Sequence, residues 1–198
     1  MPAPEGPRDA ERSAELEPAL AELRAQLADD LAAVLEAVAP LSQRQADWRP
    51  TPGRWSVGEV LHHLVLSNRA FARAVQALVE RGRRDGAVAA AGARRSWPRL
   101  RGIADVRASG PVVNPDSVTP GAGRPIEELR RDLVESHAAV VDQLPDLAGL
   151  DLGALRLPHP LGFELNLYQW ADITGAHECR HLAQIQALLG APGFPRRA

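Results

Sequence analysis

The sequence contains no lysine. Its 23 cationic side chains are all arginine, they face 25 acidic ones, and the formal net charge is −2. That balance offers no basic surface of the kind nucleic acid or an anionic membrane attracts. Heavy use of Ala, Gly, Pro and Arg reads as a GC-rich coding bias, so the arginine content carries little functional weight. The single cysteine, Cys179, excludes an intrachain disulfide framework. No apolar run approaches the ~18 residues of a membrane span. The leading stretch MPAPEGPRDAERSAELEP lacks the apolar centre of a signal peptide. A cytoplasmic protein with no membrane and no nucleic-acid partner is expected. Sustained period-two alternation is also missing, which argues against a sheet.

Helical periodicity is present instead. After a leader over residues 1–13, expected to be disordered, Leu16, Leu20, Leu23, Leu27, Leu31, Val34 and Val38 recur at steps of three and four. Pro18 fits only near the start of that helix, and Pro40 ends it. Ser56 with Glu59 makes a capping box for a second helix. Val60, His63, Leu64, Ser67, Phe71, Val75 and Leu78 share one of its faces, and it fades at Gly82 and Gly86. Residues 84–124 form a long irregular connection, far longer than bundle loops usually are. It reads as a crossover, a lid or a partly disordered segment. A third helix starts near Pro125 and a fourth covers about 167–189, ended by Gly190 and Pro192. The expectation is an all-α, single-domain four-helix bundle over residues 14–190, with long crossover connections and a short tail at 191–198.

The fourth helix carries His177-Glu178-Cys179-Arg180-His181. Histidines four apart share a helical face. The segment also spells H-E-x-x-H, in which metalloproteases use the Glu as general base. A protease of that kind needs a third ligand downstream, and no His, Asp or Glu follows His181. The protease reading therefore fails. An upstream partner is available, because His63 lies on the apolar face of the second helix, while His62 turns about 100° away. Three inward imidazoles can converge on one ion with a position left open. Hydrogen-bonded core histidines are the other reading that spacing alone permits.

Two segments resemble a known family. Trp55-Ser56-Val57-Gly58-Glu59-Val60-Leu61-His62-His63-Leu64 is similar to the opening of the second helix in the DinB/YfiT-like family. His177-Glu178-Cys179-Arg180-His181-Leu182-Ala183-Gln184-Ile185 resembles its last-helix signature, and the His159-Pro160-Leu161-Gly162 loop is similar to the segment before that helix. The resemblance implies a DinB-like four-helix bundle, often a homodimer. It also implies a divalent ion, commonly nickel or zinc, held by His63, His177 and His181. Characterised relatives use a low-molecular-weight thiol such as bacillithiol or mycothiol. The expectation is thus a stress-response enzyme transferring a thiol to a small electrophilic substrate. Metal-assisted hydrolysis at the same site and a non-enzymatic ligand-binding bundle are the alternatives.

Around the three histidines, Glu178 is a candidate base, or else a solvent-facing carboxylate. Ser67, Asn68 and Trp170 are candidate pocket residues. Gln184 is a candidate partner for a ligand imidazole. His137 falls near the third helix's stripe, as a fourth ligand or as a surface or interface residue. His159 is expected to be structural. Cys179 points away from the histidine face and is expected to pack, not to react.

Overall fold

Pro18 opens the first helix at its first turn, where its missing N–H leaves nothing unpaired. In this computed structural model residues 16–100 and 115–196 are described. The leader over 1–13 and the middle of the long connection lie outside them. Helix α1 spans Pro18–Val38, a single helical turn α2 spans Gln43–Ala46, and α3 spans Val57–Asp85. Helix α4 spans Ile126–Val141 and α5 spans Leu167–Leu189. The long helices α1, α3, α4 and α5 form the all-α bundle. Helix α3 packs along both α4 and α5, and α1 lies mainly against α5.

Local chemistry sets these boundaries. Ser56 Oγ accepts from Glu59 N (3.2 Å) and Glu59 Oε2 accepts from Ser56 N (2.9 Å), the expected capping box. Arg49 grips the same carboxylate with two nitrogens at 2.7 and 2.8 Å. Helix α3 runs through Gly82 to a left-handed Gly86 (φ 65°), a conformation only glycine adopts freely. Asn166 and Gln169 build a capping box on α5 that the sequence reading did not identify.

One departure from a purely helical chain is a small antiparallel hairpin. Strand β1 (Arg156–Pro158) pairs with β2 (Glu164–Asn166), in a region read as loop. Three-residue strands are too short to show alternation, so no sequence signal betrays them.

The long connection is a strap where it is described. Arg95 forks onto Glu17 at 2.7 and 2.8 Å. Trp97 lies against Tyr168, with ring centroids 5.6 Å apart. Arg99 bridges Asp30 of α1 and Asp172 of α5, and Asp172 also accepts from Leu100 N at 2.7 Å. Burial pushes the Asp172 carboxyl above its ordinary range, against the pull of Leu100 and Arg99. The C-terminal residues are docked as well: Phe194 meets Trp48 edge-on at 5.4 Å, and Pro195 O accepts from Gln45 Nε2 at 2.9 Å.

The apolar interior is divided in two. One cluster gathers Leu20, Leu23, Leu27, Phe71, Val75, Val140, Leu167 and Ile173. The other gathers Val34, Val38, Val60, Leu61, Leu64, Leu129, Leu133 and Ile185. Along every long helix the two are separated by buried polar residues. These are Asp30 on α1; Ser67 and Asn68 on α3; Ser136 and His137 on α4; and Thr174, His177, Glu178 and His181 on α5. A polar belt therefore crosses the waist of the bundle, and burying such groups is tolerated only when they find partners.

Close packing at this waist is testable. A Cβ on Gly175 would overlap the Asp30 carboxylate and stand 2.8 Å from Arg99 Nη2 and 3.0 Å from Leu27 Cδ2. Asp30 cannot swing aside without breaking its ion pair with Arg99. Gly175→Ala is expected to cost about 1–3 kcal/mol, the usual range for overpacking. Denaturant unfolding of the two proteins measures it.

Candidate metal centre

Helix α3 contributes one histidine to the belt and α5 contributes two, one turn apart. One ring nitrogen from each of His63, His177 and His181 lies within 4.8 Å of the others, and all three residues are buried. The ring centroids of His63 stand 5.1 Å from His177 and 4.9 Å from His181. The Nε2 atoms of His177 and His181 are 3.1 Å apart. Two nitrogens on a tetrahedral zinc at about 2.0–2.1 Å would be separated by about 3.3–3.4 Å, so this pair is set almost at coordination spacing.

Hydrogen bonds at the far side of the rings fix their tautomers. His63 Nδ1 donates to Val118 O at 2.7 Å, and His181 Nδ1 donates to Gln184 Oε1 at 2.9 Å. Each bond places the proton on Nδ1 and leaves the Nε2 lone pair directed into the cluster, the arrangement of metal-ligating imidazoles. With His181 so fixed, His177 Nε2 can meet it only by carrying a proton itself. His177 Nδ1 is then a buried nitrogen with no hydrogen-bond partner among the described residues. The three histidines thus do not satisfy one another as core residues do. Their donor set and geometry fit a divalent cation.

The electrostatics agree. Burial holds His177 well below the ordinary histidine range, reinforced by His181, His63 and Arg180. Burial likewise lowers His63, against the opposing effect of the hydrogen bond it donates to Val118 O. Neutral rings are the ones a metal requires.

The cluster faces a cavity of about 470 Å³, within the size range of small-molecule sites. Its wall includes Trp55, Ser67, Phe71, Trp170, Arg180 and Gln184 beside the three histidines. Pro115, Ser117 and Val118 close over it from the returning end of the long connection. His62, turned away from the cluster as expected, holds that same segment by accepting from Gly121 N at 2.9 Å.

The structure brings Ser67, Trp170 and Gln184 to the cavity and leaves Asn68 and Glu178 outside its wall. Glu178 is neither solvent-facing nor beside the cluster. It is fully buried, accepting from Asn68 Nδ2 at 2.8 Å and facing His137 Nδ1 at 3.0 Å. A residue next to His177 on the helix is rotated about 100° from it, which aims Glu178 at α3 and α4. His137 is corrected with it: the ring is buried in the belt, neither a fourth member of the cluster nor a surface residue. Cys179 lies across the helix from His181. Cys179 is exposed, which corrects the expectation that it packs; its thiol donates to Asp30 Oδ1 at 3.0 Å, and partial loss of water together with that carboxylate pushes its pKa up to about 12, the state of an unreactive thiol.

His159, expected to be structural, lines the cavity. The hairpin between β1 and β2 carries it, and its ring stacks on Phe163 at 4.5 Å and an 8° tilt, with Trp170 at 5.5 Å. Its sequence signal was the His-Pro-Leu-Gly turn, whose Gly162 takes a φ of 88°. Burial lowers its pKa from 6.5 to about 4. The unfolded chain therefore binds the extra proton first as the solution is acidified. This ring costs nothing above about pH 6.5, and it destabilises the native state progressively from there toward pH 4. His159→Phe keeps the stack and removes the proton site. It is expected to flatten the fall in stability between pH 6.5 and 4, read as the difference between the two proteins' unfolding midpoints.

A helical bundle with a buried three-histidine cluster opening on a cavity fits a metal-binding bundle protein. A family model described as the DinB superfamily matches residues 26–185, and the chain belongs to that superfamily. No curated protein and no solved structure is significantly similar to it. Among the described residues no helix is long and apolar enough to cross a membrane.

Proposed function

We propose that this protein is a divalent-metal-dependent enzyme that joins a low-molecular-weight thiol to a small electrophilic substrate. The ion, zinc or nickel, sits on His63, His177 and His181. The observation that carries the proposal is that the three imidazoles face a cavity instead of being sealed in the core. Three protein ligands with one open side are the plan of a reactive metal site.

A divalent ion held there would lower the pKa of a bound thiol, so that the thiol loses its proton to solvent at neutral pH. The chain's own residues position the reactants. Val118 O and Gln184 hold two ligand rings in the productive tautomer. Segment 115–118, the β1–β2 hairpin and the aromatic wall keep water from the reacting groups. Arg180, in the wall, places a permanent positive charge beside negative charge gathering on the electrophile. Among the described residues no carboxylate lines the cavity, which favours thiol transfer over hydrolysis, since hydrolysis relies on a positioned base to handle the protons of water.

Gln184→Ala removes the acceptor at His181 Nδ1 and leaves that ring free to take the wrong tautomer. It is expected to weaken metal binding by about 10–100-fold, the usual effect of losing such a partner, as measured by competition with a chromophoric chelator. The reaction itself is tested on untagged holoprotein with bacillithiol, mycothiol, glutathione and cysteine against a generic electrophile. Turnover restricted to one thiol and abolished by chelation is the expected result. Turnover without thiol would make the protein a hydrolase, and none with any thiol would leave it a binding protein. Homodimeric assembly in the cytoplasm is part of the same proposal, and light scattering at twice the mass of one chain checks the dimer.

A further inference from the structure

A serine inside a helix ordinarily turns its hydroxyl to solvent or back onto a carbonyl three or four residues earlier. Ser136 of α4 takes the second course, donating to Leu133 O at 3.1 Å. Ser67 of α3 takes neither. It is only 3% exposed, yet its hydroxyl has no hydrogen-bond partner among the described residues. Unlike the Thr174 hydroxyl, it is not sealed inside the protein, and the residue lines the metal-centre cavity. A buried donor without an acceptor is costly, and the cavity is the space from which this one can be satisfied.

Ser67 follows His63 by four residues and precedes Phe71 by four. The three therefore share one face of α3 at intervals of about 6 Å. Phe71 opens a surface of rings in the cavity wall. It lies 6.2 Å from Trp170 and 6.4 Å from His159, and His159 lies 5.5 Å from Trp170. Trp170 spends its indole N–H on Leu157 O at 3.1 Å, and burial keeps the His159 ring neutral down to about pH 4. Both act toward the cavity as plain aromatic rings. Phe71 also meets His177 edge-on at 5.5 Å, which sets this surface directly beside the histidine cluster.

We propose that the cavity takes an aromatic carbonyl compound, its ring against Phe71, Trp170 and His159 and its oxygen accepting from the Ser67 hydroxyl. Aromatic faces reward a flat ring through offset and edge-on packing. A carbonyl oxygen accepts and does not donate, so it matches a hydroxyl that lacks an acceptor. It also draws electrons from the carbons beside it, the property a thiolate's target requires. The inference rests on the reading that this cavity receives the electrophilic substrate, and it adds the substrate's chemical class.

Full-length protein is titrated by NMR without thiol, both with zinc and metal-free, so the proposal can fail while the metal and transfer chemistry stand. The ligands are acetophenone, its ring-saturated counterpart cyclohexyl methyl ketone, and ethylbenzene, which has a methylene in place of the carbonyl. Acetophenone is expected to bind the wild type about two- to tenfold more tightly than cyclohexyl methyl ketone. Ser67→Ala should weaken acetophenone by about two- to tenfold and leave ethylbenzene unchanged. This variant should be no less stable than the wild type, since the hydroxyl it loses has no partner; a weakened ketone then reports the lost donor and not a damaged fold. Ala70→Phe, which places a ring inside the cavity, should abolish binding of all three ligands, with circular dichroism confirming that it is folded. Equal binding of the two ketones, no binding of acetophenone at millimolar concentration, an acetophenone affinity that survives Ser67→Ala, an equal loss of ethylbenzene in that variant, or unchanged binding in Ala70→Phe would overturn the proposal. Acetophenone binding that needs zinc would place the oxygen on the ion and equally overturn the role given to Ser67.

Discussion

His63→Ala and His177→Ala, each purified without a histidine tag, are expected to keep their helical content and lose their metal. The wild type should carry close to one divalent ion per chain. Each variant should carry almost none, because removing a ligand exceeds the about 10–100-fold loss that follows removal of a mere supporting partner. The side-chain arrangement makes this specific. Among the described residues the cluster contains three imidazoles and no carboxylate or thiolate that can substitute for a missing one. Cys179 is held by Asp30 on the opposite side of α5, and Glu178 is tied to Asn68 and His137. Inductively coupled plasma mass spectrometry reads the result directly. Helicity should survive, since the two apolar clusters on either side of the belt are untouched by either substitution.

Glu178→Ala is expected to do the reverse: leave the three histidines in place and damage the fold. Its carboxylate is fully buried and is the partner of both Asn68 Nδ2 and His137 Nδ1. Removing it strands two polar groups in the waist of the bundle, and breaking a buried pair of this kind typically costs about 3–5 kcal/mol. For a chain of this size that corresponds to a fall in Tm of about 10 °C. Glu178→Gln keeps an acceptor for Asn68 and should lose much less. A general base would behave differently, with activity lost in Glu178→Gln and stability little changed in either variant. Thermal unfolding of both variants, set beside turnover, separates the two roles.

The difference between expectation and structure at Glu178 shows what periodicity can convey. Helix periodicity assigned His63, His177 and His181 to inward faces correctly, because a ring at the centre of an apolar stripe has only one direction to go. Residues at the edge of a stripe are decided by where the neighbouring helices lie. Glu178 and Asn68 sit at such edges, and each is claimed by the α3–α4–α5 junction, where Glu178 joins Asn68 to His137. The same limit hid His137, whose partner is 41 positions away in sequence. Capping boxes and helix ends were legible at Ser56, Pro18 and Gly190, since those signals are local. The strap was not, because Arg95 and Arg99 find Glu17, Asp30 and Asp172 only after the bundle has formed. His159 reached the cavity through a hairpin of three-residue strands that leaves no pattern to read.

Metal-edge X-ray absorption of the untagged wild-type protein tests the central claim most directly. The account predicts a first coordination sphere with three imidazole nitrogens at about 2.0–2.1 Å, an open position filled by a light atom, and sulfur appearing there only when a thiol is added. A metal-free protein after growth with zinc and nickel, or a sphere containing a carboxylate or the Cys179 sulfur in place of a histidine, would contradict it.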